Sequence, residues 1–137
     1  MLIADTSGLL ALFNRREPAH ARVASLVAKA SGPLIVSPFV VAELDYLLAT
    51  RLGVEPELTV LRELASAAYE IPPLNPADLA ACADVIARYR DQEIGVADAS
   101  LVVLALRNHT RTILTLDRRH FQVLRPLDGG YFKLLGV

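Results

Sequence analysis

The sequence has a single cysteine, Cys82, so an intrachain disulfide is impossible. That composition is compatible with a reducing compartment. No apolar run approaches the ~20 residues that span a bilayer. The opening stretch MLIADTSG has no charged start and no cleavage site, so no signal peptide is expected and a cytoplasmic protein is. Positive charge is not in excess: 14 Lys and Arg stand against 15 Asp and Glu. A uniformly basic nucleic-acid binder is thereby excluded, but net charge hides distribution. Neither a G-x-G-x-x-G fingerprint nor a P-loop occurs. There is no internal repeat, low-complexity tract or linker.

What is present points to one folded domain over residues 1–137, with 53% hydrophobic residues and a mean hydropathy of +0.39 excluding disorder. Twelve of the 14 basic residues are arginine, the side chain suited to bidentate contacts with phosphate and carboxylate. MLIAD reads as a buried strand, followed by a helix over TSGLLALFN that Asp5, Thr6 or Ser7 can cap. Glu17 to Ala30 reads as a helix with Ala21, Ala24, Leu26, Val27 and Ala28 as its apolar members. PLIV at 33–36 is a second strand. A long helix follows from Phe39 to Leu52, its stripe made by Val40, Val41, Leu44, Leu47 and Leu48, and Gly53 stops it. Further helices are expected over 55–68 and from Asn75 or Pro76 to Arg90, the latter with Leu79, Cys82, Ala83, Ile86 and Tyr89 on one face. A short edge strand is expected at Tyr69–Ile71. After Gly95, VADASLVVLALRN is apolar all round except for Ser100, as a central buried helix is. RTILTL at 111–116 is a strand, Asp128-Gly129-Gly130 a turn and YFKLL a last strand. Strands alternating with helices imply α/β architecture, a parallel sheet covered on both faces.

The acids fall in a pattern. Asp5 and Asp117 each end a strand, on the rim where open parallel sheets bind ligands. Asp98 lies in the first turn of the most apolar helix, where a carboxylate is costly unless paired, hydrogen-bonded or metal-bound. At about 100° per residue, Glu43 sits beside Val40 and Leu47 on the long helix, able to reach inward. Each acid taken alone has an ordinary explanation. Asp5 and Asp98 suit helix caps, Asp117 a turn, and Glu43 a boundary ion pair, as does Asp45 on the other edge of the stripe. Taken together, four carboxylates converging on one rim need a cation between them. Carboxylate oxygens without supporting His or Cys select Mg²⁺ or Mn²⁺, as one ion or two.

"AD-TSG" after the first strand, "VVAEL" on the long helix, "ADAS-LVVLA" opening the buried helix and "ILTLD-RRHF" after a late strand together resemble PIN-domain proteins. More narrowly, they resemble the VapC toxins of bacterial toxin–antitoxin pairs, over essentially the whole chain. The resemblance implies an α/β/α sandwich around a parallel sheet of four or five strands. It implies a Mg²⁺- or Mn²⁺-dependent endoribonuclease acting on structured RNA such as tRNA or a ribosomal RNA loop. Asp5, Glu43, Asp98 and Asp117 match the family's acids, Thr115 and Phe121 complete the element around Asp117, and Thr6 or Ser7 matches a supporting hydroxyl. It further implies a homodimer and a VapB-type antitoxin whose C-terminal segment crosses the acidic groove, an inserted arginine displacing the metal.

Arg118 and Arg119 are candidate RNA phosphate contacts, against a solvated loop as the ordinary alternative. Arg15 and Arg16 are weaker candidates of the same kind. His120 falls one helical turn after Asp117, with no second histidine to support a ligand or general-base role. His20 and His109 read as surface residues, Cys82 as a small core residue, and Tyr46 and Tyr89 as either packing or base-stacking groups. Two other functions fit parts of the pattern. A haloacid-dehalogenase-type phosphatase also begins with a strand and an Asp, but needs a second Asp at position 7, which is Ser. A non-catalytic PIN-like scaffold needs no complete acid set.

Overall fold

Leu2, Ile3 and Ala4 have no exposed side, as an unbroken apolar run demands of a strand with neighbours and covering helices all round. They form β1 (Leu2–Ala4), the centre of the sheet in a computed structural model describing residues 1–137. Around it lie β2 (Leu34–Val36), β3 (Tyr69–Glu70), β4 (Thr112–Leu114) and β5 (Lys133–Leu135), in the order β3-β2-β1-β4-β5, every pair parallel. The register sets Ile3 opposite both Ile35 and Ile113.

Seven helices connect the strands: α1 (Thr6–Phe13), α2 (His20–Lys29), α3 (Pro38–Arg51), α4 (Val54–Leu64), α5 (Pro76–Arg88), α6 (Val96–Arg107) and α7 (Arg118–Val123). The chain steps from β1 to β2 to β3 in one direction, then returns past β1 to β4. Right-handed crossovers therefore place helices on both faces of the sheet, the expected α/β/α sandwich. The reversal of strand order lies between β1 and β4, and ligand sites gather at such a switch point.

α6 is the central helix, with Ala99 through Ala105 all buried. Ser100 is its one polar residue in that run. Its hydroxyl donates to the Ala97 carbonyl and lies 2.6 Å from the hydroxyl of Ser37, the N-cap of α3. This buried pair ties the starts of α3 and α6 together. Gly8 is a second close fit: a Cβ there would stand 2.5 Å from the Leu114 carbonyl oxygen, so only glycine lets α1 lie against β4. Asn75 caps α5 in a reciprocal box with Asp78, as Asn before Pro76 predicts.

Several expectations shift. On α2, which starts at His20, the buried residues are Ala19, at the cap, and Val23; Ala21 and Ala28 face solvent, because the larger Val23 sets the face that packs. Leu79, expected inward on α5, is 52% exposed, while Cys82 and Val85 carry the buried face. α4 ends at Leu64 rather than continuing to 68, and α5 gives way to a 3₁₀ turn at Arg90–Gln92. β4 is three residues long, so Thr115 and Leu116 lie beyond it. A short helix, α7, follows Asp117 where a loop was the ordinary expectation. Of the leucines near the end of α3, Leu48 is buried, Leu47 half-buried and Leu52 40% exposed. No helix is long and apolar enough to cross a membrane.

Candidate active site

Asp5 leaves β1 in extended conformation and caps α1, accepting the Gly8 amide on Oδ1 at 2.9 Å. Its ordinary role as an N-cap is therefore real, but it occupies one side of the carboxylate only. Ser7 Oγ donates to Oδ1 at 2.7 Å and Thr115 Oγ1 donates to Oδ2 at 2.6 Å. Both hydroxyls are themselves fixed: Ser7 Oγ accepts from the Leu116 amide and Thr115 Oγ1 from the Asp117 amide, each at 2.8 Å. The carboxylate is thus held at both oxygens by residues from the two strand ends that flank the switch point. Of the two candidate hydroxyls on α1, Ser7 takes the supporting position; Thr6 is buried along the cleft without bonding to Asp5.

Asp5, Glu43, Asp98 and Asp117 all line one cleft of about 300 Å³ at the carboxyl end of the sheet. The long helix α3 brings Glu43 there from an exposed position beside Val40. Asp45, on the other edge of its stripe, turns away and meets Glu57 of α4. Asp98 lies in the first turn of α6, and Asp117 caps α7 by accepting the His120 amide at 3.3 Å.

One lining residue escapes sequence reasoning and another is undervalued by it. Glu93, on the loop before α6, adds a further carboxylate and adopts a left-handed backbone (φ 54°) that is uncommon outside glycine. Its only sequence signal is an acid two residues before Gly95. His120 stands between two of the acids, its Nδ1 3.0 Å from Asp98 Oδ2 and 3.3 Å from Asp117 Oδ2. The helical turn from Asp117 to His120 was legible, but nothing in the sequence showed that Asp98 would lie on its far side.

The electrostatics follow from burial and like charge. Desolvation is the main cause that pushes the Asp98 carboxyl up to about 6; His120 opposes the rise, and Asp5, Glu43 and Asp117 add to it. Asp5 is also raised, chiefly by burial, against the hydrogen bonds from Thr115, Gly8 and Ser7. The site is therefore short of positive charge. No three acids, histidines or cysteines are gathered closely enough to hold a metal ion as the side chains stand. The donor chemistry still fits a hard divalent cation, being rich in carboxylate oxygen and free of sulfur.

Comparison with known proteins agrees with this geometry. A family model described as PIN domain matches residues 2–125. The chain is 54% identical over 134 residues to ribonuclease VapC26 of Mycobacterium tuberculosis, covering 98% of this chain and 99% of that protein. Among solved structures, VapC20 of Mycobacterium tuberculosis, a sarcin–ricin loop cleaving toxin, superposes with a TM-score of 0.80 at 19% identity over 86% of this chain and 91% of that one. VapBC2 of Rickettsia felis, bound to a DNA fragment from its promoter, matches at a TM-score of 0.70 and 18% identity over 97% of both chains. At such identities the structures speak for the fold alone.

Proposed function

The chain belongs to the PIN-domain family, in its VapC branch, and from that footing we propose that it is an endoribonuclease toxin that hydrolyses RNA phosphodiester bonds with Mg²⁺ or Mn²⁺. The observation that carries the reading is the Asp5 carboxylate, fixed at both oxygens and set in one cleft with Asp98, Glu43 and Asp117. A 54% identical relative named a ribonuclease supports the activity.

Asp5, Asp98, Glu43 and Asp117 would hold the cation. When bound, it supplies charge for the developing phosphorane-like transition state and lowers the pKa of water for attack. The chain's own residues do the rest. Ser7 and Thr115 fix the direction of the Asp5 carboxylate, sparing the site that reorganisation. Burial raises the carboxyls of both Asp5 and Asp98, so added positive charge between them is welcome. Arg118 and Arg119, exposed at the start of α7 next to Asp117 and unpaired with any acid, would meet the phosphates.

The same reading assigns a VapB-type antitoxin as partner, its segment lying over the acidic cleft, and a homodimer as the working form. Exposed Tyr46, Leu52 and Val54 around the α3–α4 turn supply apolar surface for association. A phosphatase of the dehalogenase type is disfavoured: Asp5 is 5% exposed with both oxygens engaged, and position 7 is a serine that serves it as donor.

The test is cleavage of labelled total RNA by the purified chain with Mg²⁺, with Mn²⁺ and with EDTA. Cleavage with either ion, absent in EDTA and in Asp98→Asn, is expected. Undiminished cleavage in EDTA would overturn the metal, and no cleavage by wild type under any condition would overturn the enzyme.

A further inference from the structure

α7 has two working sides. One presents His120 to Asp98 and Asp117. The other carries Arg118 and Gln122, one helical turn apart, and these, with Arg125 two residues beyond the helix end, line a groove whose far wall is Tyr131 and Val137. The groove starts at the acid rim, because Arg118 directly follows Asp117, and runs beside α7, a helix about 9 Å long, and the edge strand β5.

Its chemistry is distinctive. No acidic residue lines it. Tyr131 is 72% exposed, more than any other large hydrophobic side chain in the molecule. The Arg125 guanidinium lies over that ring, 4.4 Å from its centre, and donates to the carbonyls of Gln122 and Val123. Arg125 is thus held in place without an acid partner, as is no ordinary surface arginine free to sweep through solvent. Buried Phe121 and Phe132, packed edge to face with centres 6.4 Å apart, form a rigid floor. An open aromatic ring, fixed guanidinium charge and a firm base are the elements that bind single-stranded nucleic acid by stacking and phosphate contact.

We propose that the groove between α7 and β5 holds a single-stranded stretch of the RNA substrate flanking the cleavage site, a base stacking on Tyr131 and a phosphate meeting Arg125. The proposal rests on the ribonuclease reading of the acid cleft. It resolves a difficulty of that reading: the cleft itself is acidic and repels phosphate, so affinity must come from cations beside it. Arg118 begins such a path and Arg125 ends it.

The probe is a fluorescein-labelled single-stranded oligouridylate, bound in EDTA so that it stays intact, with anisotropy and tyrosine emission both followed. The chain has no tryptophan and four tyrosines, so the quenching that disappears in Tyr131→Phe is the part that reports on Tyr131. Wild type is expected to bind with quenching. Tyr131→Phe should keep the affinity and lose the quenching, whereas Tyr131→Leu should bind about tenfold more weakly. Arg125→Gln should lower the salt dependence of binding by about one phosphate contact. Thermal melts of the variants should match wild type, since Tyr131 is exposed. Tyr131→Leu and Arg125→Gln binding as wild type does would overturn the groove, even with RNA cleavage intact. The same result with loss of a co-purifying polypeptide would assign the groove to a protein instead. Absence of both RNA binding and RNA cleavage in wild type would overturn the ribonuclease reading itself.

Discussion

Thr115 and Asp5, 110 residues apart in the chain, share a buried 2.6 Å hydrogen bond in which the hydroxyl donates to a carboxylate oxygen. The same hydroxyl accepts the Asp117 amide, so one side chain sets the geometry of two site acids at once. Thr115→Val keeps the shape and deletes both bonds. It should cost about 1–3 kcal/mol in urea unfolding, because a buried carboxylate oxygen and an amide lose their partner. RNA cleavage should fall by at least tenfold, and Thr115→Ser should restore most of both.

Activity and stability should move in opposite directions at Asp98. Its carboxyl is raised to about 6, first by desolvation, against the help of His120. Asp98→Asn removes the charge that burial and the other acids disfavour. In metal-free protein at pH 7.5 the variant should be more stable than wild type, by on the order of 1–2 kcal/mol, while RNA cleavage is lost. Paired thermal melts and cleavage assays check both signs. A variant less stable than wild type would contradict the electrostatic account.

The pH dependence follows from the same group. A carboxyl with a folded pKa near 6 and an ordinary unfolded value of 3.8 binds its proton more tightly when folded. The stability this contributes is complete below the unfolded value and is lost as pH rises through about 6. Metal-free protein should therefore melt at a higher temperature at pH 5 than at pH 7.5, as far as this group is concerned. Asp98→Asn should flatten the difference, and so should saturating Mg²⁺ or Mn²⁺, which stabilises the charged form at neutral pH. Scanning calorimetry across this range reads each slope.

Gly8→Ala should be severely destabilising, by about 2–4 kcal/mol, although alanine favours helices. The added methyl would overlap the Leu114 carbonyl at 2.5 Å and push α1 from β4. Since α1 begins at Asp5, the displacement should also lower cleavage in the fraction that folds. Denaturant midpoints and activity per folded molecule separate the two effects.

How far the sequence disclosed this arrangement depended on how local each signal was. β1, α3 and α6 were legible because apolar periodicity and full burial are properties of short segments. The acids at strand ends were legible for the same reason, once a parallel sheet was inferred. α2 misled because its alanines are apolar enough to fit either face, and the large Val23, at a position not assigned to the stripe, decided the packing. α7 was missed because a six-residue helix opening on two arginines and a histidine has no apolar period, only Phe121 anchoring it. Glu93 and His120 entered the cleft through tertiary placement, which no spacing along the chain encodes. Which hydroxyl would serve Asp5 was equally open between Thr6 and Ser7 until the end of β4 supplied the Leu116 amide to fix Ser7.

The central position of β1 has a consequence for assembly. Asp5 leaves the middle strand, yet its carboxylate is oriented by Thr115, 110 residues further along and carried in by β4 between β1 and β5. A polypeptide ended before Thr115 holds Asp5, Glu43 and Asp98 without the clamp that aims the first of them. The acid cluster is therefore not a property of any one segment: it takes its final form only when two distant stretches of chain dock side by side, so cooperative folding and a finished cleft are the same event.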